Sequence, residues 1–180
     1  MKRLVLLGLC LLALSGMEVT AQEKVMENIN VVELLKGEIH ETNWNDKGED
    51  TTIQVSYEDA QALMKIATAE GGTEGVEGML RIMQVVWNRV LSPDYPDSIT
   101  EVIEQHSGNS YQFATVKKGT YYKAVPTLEA HLALAEFEKN ERHDSSLFAF
   151  ETVNNGRSLL LYFDYYYDFG NHTFYKNKKN

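Results

Sequence analysis

The stretch VSYEDAQALMKIATAEGGTEGVEGMLRIMQVVWNRV, residues 55–90, holds two helical patterns separated by a glycine pair. Ser56 stands before Glu58 and Asp59, an N-cap followed by acidic residues that suit the positive end of a helix. Ala60, Leu63, Met64 and Ala67 then recur at helical spacing, and Gly71-Gly72 supplies the stop. A second helix is expected from about Gly75 to Leu91. Its buried face is Val76, Met79, Leu80, Met83, Val86, Trp87 and Val90, and Ser92-Pro93 and Tyr95-Pro96 end it. Three acids, Glu70, Glu74 and Glu77, crowd the junction of these otherwise core-forming helices.

Glu70 is the sharpest of the three. It follows Leu63 by seven residues and Ala67 by three, so it continues the apolar stripe into the last turn of the first helix. A carboxyl group on an apolar face loses hydration, which favours the neutral, proton-donating form that a general acid requires. The pattern alone leaves a second reading open, in which Glu70 caps the helix or pairs with Arg81 or Arg89.

Beyond this core, Ser98 to Glu101 reads as a capping box opening a short helix through Glu104. The polar loop HSGNSYQF follows. Thr127 then caps a helix carrying Leu128, Leu132, Ala135 and Phe137 inward. The segments SLFAF, SLLLYF and HTFYK are rich in aromatic and aliphatic residues, with the turn signals NNG and DFGN between them. At least two short antiparallel strands are expected there. Helices first and a small sheet last make an α+β domain. The late aromatics, Tyr162 to Tyr175, suit a core, with a few left to line a sugar-binding groove.

Lys2 and Arg3, the apolar run Leu4 to Leu14, and Val19-Thr20-Ala21 describe a secretory signal over residues 1–21, cut before Gln22. The run is too short for a membrane anchor, and Leu9 before Cys10 is wrong for a lipoprotein. The precursor has 17 basic and 26 acidic residues and a formal charge of −9; loss of Lys2, Arg3 and Glu18 leaves 15, 25 and −10. So acidic a chain argues against nucleic acid as a partner. The single cysteine, Cys10, leaves with the signal, which excludes a cysteine nucleophile and a disulfide from the mature protein. The five histidines show no HExxH or zinc spacing, so neither metal nor other cofactor is expected. Residues 22–52 read as an acidic leader and 53–180 as the domain.

These elements, in order, resemble the SleB-type cell-wall hydrolase family, the catalytic domain of spore-cortex-lytic enzymes. The resemblance rests on Ala69-Glu70, Glu74, Glu77-Gly78, Val85-Val86-Trp87-Asn88-Arg89-Val90, Gln112-Phe113 and Gly170-Asn171-His172-Thr173-Phe174-Tyr175, over residues 56–176. Gly71-Gly72-Thr73 departs from the family's A-R-G, and the polar loop between Val102 and Gln112 is longer. The resemblance implies a lysozyme-like fold and an enzyme acting on peptidoglycan, and with the signal a secreted or periplasmic monomer is expected. It further implies cleavage between N-acetylmuramic acid and N-acetylglucosamine by lytic transglycosylation. Glu70 would be the catalytic acid and base, with Glu74, Glu77, Gln112, Phe113, Asn171 and His172 as substrate contacts. An amidase acting on the stem peptide, and a wall-binding module without activity, are the competing readings.

Overall fold

The computed structural model describes residues 53–178; the expected signal and leader lie outside the described residues. Helix α1, Tyr57–Gly71, opens as the sequence led us to expect, with Ser56 Oγ accepting from the Asp59 amide at 3.1 Å. Its Leu63, Ile66 and Ala67 are fully buried. The chain turns through Gly75, at φ +63°, into α2, Gly75–Val90.

Helix α2 is buried on more than the one face that its apolar stripe specified. Met79, Leu80, Met83 and Val86 belong to the main core with α1, while Val85 packs with Leu147 and Phe174 in a second cluster. Val76, Trp87 and Val90, expected inside, are only partly buried and lie at the margin of the main core. The reason is that α2 lies between helices and sheet, and a helix so enclosed has no wide polar side. Its polar residues Gln84, Asn88 and Arg89 are therefore buried too.

Buried polar groups need partners, and those three find them in one irregular segment, although Arg89 Nη1 stays buried without one among the described residues. Gln84 donates to the Arg142 carbonyl, Asn88 to the carbonyls of Asp144 and Leu147, and Arg89 Nε to that of Phe148, each at 2.8 Å. The segment between the last helix and the sheet is thus fastened along α2 by Gln84 and Asn88, one helical turn apart, and by the adjacent Arg89. Arg89 also lies over the rings of Tyr95 and Phe113, at 5.2 and 5.4 Å. Burial pushes its guanidinium down to about 10, still cationic at neutral pH.

Helix α3, Ile99–Glu104, begins with the expected capping box, Ser98 Oγ accepting from the Glu101 amide at 3.3 Å. The polar loop after it forms a small hairpin, β1 (His106–Ser107) and β2 (Ser110–Tyr111), turning through Gly108. Two four-residue helices follow, α4 (Ala114–Lys117) and α5 (Thr120–Lys123). Helix α6, Leu128–Lys139, is capped by Thr127 as expected, but buries Ala130, Ala133, Leu134 and Phe137. Leu128, Leu132 and Ala135 are half-buried. The small residues Ala130 and Ala133 face the neighbouring helices because they permit a close approach, and Phe137 meets Trp87 edge-on at 5.9 Å.

Strands β3 (Ala149–Thr152), β4 (Phe163–Phe169) and β5 (His172–Asn177) form an antiparallel sheet in the order β3-β5-β4. SLLLYF is not a strand from its start: Ser158–Leu161 is an exposed 3-10 turn, and extended backbone begins at Phe163. DFGN closes the β4–β5 hairpin through Gly170 at φ +56°. The central strand β5 is buried on both faces. Phe174 points to α2, while the buried carboxylate of Glu151 takes the Tyr175 hydroxyl and, from the 3-10 turn, Ser158 Oγ at 2.6 Å. The order of helices and then sheet is the lysozyme-like α+β arrangement expected from the sequence.

Candidate functional site

Glu70 sits in the last turn of α1, half-buried. One carboxylate oxygen, Oε1, accepts from Thr115 Oγ1 at 2.6 Å and from the Thr115 amide at 3.1 Å. That amide lies in the first turn of α4, where backbone N–H groups lack an intrahelical partner. The other oxygen, Oε2, has no hydrogen-bond partner among the described residues. The sequence pattern predicts a carboxyl group mostly buried against Leu63, Ala67 and the aromatics. The group reaches α4 instead, which leaves it half-exposed. Neither arginine of the alternative reading touches it. Arg81 binds Glu77 and the Tyr167 hydroxyl, and Arg89 binds the Phe148 carbonyl.

Glu74 is held very differently. Its two oxygens accept from the Asn171 amide at 3.2 and 3.1 Å, and Oε1 also accepts from Asn171 Nδ2 at 2.8 Å. Two glycines make the space for it. A Cβ at Gly170 would lie 1.6 Å from Glu74 Oε2, and one at Gly78 would lie 2.1 Å from Glu74 Cβ.

The next residue, His172, is 7% exposed and packs its ring edge-on against Phe150 at 5.0 Å. Its Nδ1 is buried without a partner. Burial pushes its pKa down, and the charges of Glu74 and Glu70 oppose that shift. The histidine ring therefore lies within electrostatic reach of both carboxylates. The structure brings together Glu70, Glu74, Asn171 and His172, which lie far apart in the chain.

Two other expected contacts are corrected. Phe113 is 2% exposed and belongs to the core, tilted against Phe150 at 6.0 Å, so its ring is not presented to a substrate. Both oxygens of Glu77 are taken by Arg142, at 2.5 and 2.8 Å, and Oε2 also by Arg81 at 2.9 Å. Those bonds to Arg142 and Arg81 hold its carboxyl below the usual range. Glu77 thus ties α2 to the segment after α6. Gln112 is exposed, with its amide bonded to the Gln105 carbonyl at 3.1 Å. Among the described residues, no three His, Cys, Asp or Glu side chains converge as a metal site. The residue that sequence reasoning missed is Thr115. Its only signal was a hydroxyl two positions after Gln112-Phe113.

Comparison with known proteins gave a family and a fold. A family model described as cell wall hydrolase matches residues 73–175, a span that includes Glu74 and begins just after Glu70. The catalytic domain of the germination-specific lytic transglycosylase SleB from Bacillus anthracis has a similar structure. Its TM-score is 0.56 at 21% identity, over 68% of this chain and 97% of that one. The SleB catalytic domain of Bacillus cereus gives a TM-score of 0.55 at 21% identity, over 72% and 99%. No curated protein matches the sequence.

Proposed function

Because this chain belongs to the cell wall hydrolase family, we propose that it cuts peptidoglycan glycan strands between N-acetylmuramic acid and N-acetylglucosamine, as a lytic transglycosylase with Glu70 as its proton carrier. The observation that carries this reading is the one-sided tether of Glu70. Thr115 holds Oε1, no cation among the described residues neutralises the group, and Oε2 is left for a substrate oxygen.

Glu70 gives its proton to the glycosidic oxygen as the bond to the muramic anomeric carbon breaks. The muramic C6 hydroxyl attacks that carbon and returns its proton to Glu70. The products are a 1,6-anhydro end and a free hydroxyl on the departing sugar, and the enzyme regains its starting state. Hydrolases of the ordinary kind use two carboxylates at set separations. Here the neighbouring acid, Glu74, has both oxygens bound to Asn171, which supports a mechanism that needs one. His172, through Nε2 since its Nδ1 is buried, and the exposed Gln112 supply polar contacts to the sugar's N-acetyl and hydroxyl groups. Export by residues 1–21 belongs to the same reading, with the exported chain beginning at Gln22.

The test is mass spectrometry of fragments released from purified peptidoglycan, beside the Glu70→Gln variant. Wild type should release anhydro ends, lighter by one water than hydrolysed ends, with or without a chelator. General acid catalysis contributes about 10² to 10⁴ in rate, and Glu70→Gln should lose at least that while keeping its fold. Hydrolysed ends, or a folded variant that digests wall like wild type, would refute the assignment.

A further inference from the structure

Glu74 carries three hydrogen bonds from a single residue at the tip of the β4–β5 hairpin. A side chain at Gly170 or Gly78 would collide with that carboxylate or its stem. An acid poised to exchange protons with a substrate would need a free oxygen, as Glu70 has. Both oxygens of Glu74 are engaged; its donors on the hairpin all come from the residue next to His172, and the neighbouring Thr73 hydroxyl adds a longer bond to Oε1 at 3.4 Å. Thr152 in β3 and Phe169 in β4 both pair with His172 in β5, so the hairpin end is one rigid unit. Fixing Asn171 therefore fixes the imidazole.

From this we infer that Glu74 is a positioning residue: it latches the Gly170-Asn171 turn to the start of α2 and so sets His172 at its place beside Glu70. The latch rests on the functional reading above for its purpose, since it matters to catalysis only if Glu70 and His172 share a substrate. Its geometry stands without that reading. The carboxylate accepts, and Asn171 donates through both its backbone amide and its side chain. Amide and acid here have a fixed polarity, and that polarity can be inverted.

The experiment uses Glu74→Gln, Asn171→Asp and the double variant. In Asn171→Asp a second carboxylate faces Glu74 where the side-chain donor stood, whereas in Glu74→Gln alone a flip of the Asn171 side-chain amide keeps donor matched to acceptor. Hydrogen exchange at the backbone amide of residue 171 should therefore rise at least tenfold, and kcat/KM on peptidoglycan fall by about tenfold or more, in Asn171→Asp, with Glu74→Gln close to wild type in both. In the double variant, the introduced glutamine would donate to the introduced aspartate, while its own side-chain carbonyl still accepts from the backbone amide of the turn. Most of the lost rate and protection should return, which a general loss of packing would not allow. The pH–rate profile should stay that of wild type throughout, because Glu74 carries no proton in the reaction. The latch is overturned if the double variant recovers neither quantity. A Glu74→Gln profile that has lost one limb overturns it too, since Glu74 would then be an acid or base itself. If wild type releases no anhydro fragments, the functional reading fails, and exchange at Asn171 still decides the latch.

Discussion

Thr115→Val tests how Glu70, the proposed proton carrier, is held. The change keeps the β-branched shape and the backbone amide, and removes the 2.6 Å bond from Oγ1 to Glu70 Oε1, leaving only the amide at 3.1 Å. A hydrogen bond to a charged group contributes about 1.5–3 kcal/mol. Part of that loss is recovered by water, because Glu70 and Thr115 are both half-buried. Stability should accordingly fall by less than about 1 kcal/mol. Water cannot restore the direction in which the carboxyl points, and with one amide its only tether the group loses its aim at the glycosidic oxygen. If the bond's full value is spent on that aim, the rate falls by about 10- to 100-fold, at roughly 1.4 kcal/mol per factor of ten. Thr115→Ser retains the hydroxyl and should keep most of the activity. The assay is clearance of a peptidoglycan suspension at matched protein, with a thermal melt of each variant beside it. A folded Thr115→Val enzyme working at the wild-type rate would refute the idea that the hydroxyl aims Glu70. An equal loss in Thr115→Ser would place the effect in packing.

Two further predictions address the scaffold. Asn88→Ala should destabilise by about 2–4 kcal/mol, because it orphans the carbonyls of Asp144 and Leu147; the midpoint of urea denaturation reads this. Burial pushes the Glu138 carboxyl from 4.5 up to about 7, so the folded state resists its ionisation. That penalty is full above the folded value and vanishes as pH falls through 7 towards 4.5. Glu138→Gln should therefore raise Tm by a few degrees, on the order of 1 kcal/mol, at about pH 8, with the gain shrinking at about pH 5.

The legible parts of this fold are those governed by local rules. Ser56, Ser98 and Thr127 cap helices because a hydroxyl satisfies free amides within its own turn. Gly170 closes a hairpin because its φ is positive. What stayed hidden depends on what lies opposite. The stripe on α2 gave one buried face, but the approach of the sheet from the other side buried Val85, Asn88 and Arg89 as well. The stripe on α6 was misplaced because alanines, weak in any hydrophobic pattern, won the contact with neighbouring helices. Glu70 was visible as a carboxylate out of place on an apolar stripe. Its partner was not, since Thr115 lies 45 residues away. Glu74 and Glu77 looked alike in the sequence, and only the arrival of Asn171 at one and of Arg142 at the other separates them.

The span of these contacts bears on when the site comes into being as the chain folds. Helices α1 and α2 are neighbours in sequence and can pair early, whereas the Glu74–Asn171 contact closes a loop of 97 residues. Closing so long a loop yields contacts only after most of its entropy has been lost, so such pairings form late. Glu70 is then present in the first structure to form, but its companion histidine arrives with nearly the last. On the proposed reading, a partly folded chain holds the acid without the complete site, and the capacity to cut peptidoglycan is finished only with the last long-range contact of the fold.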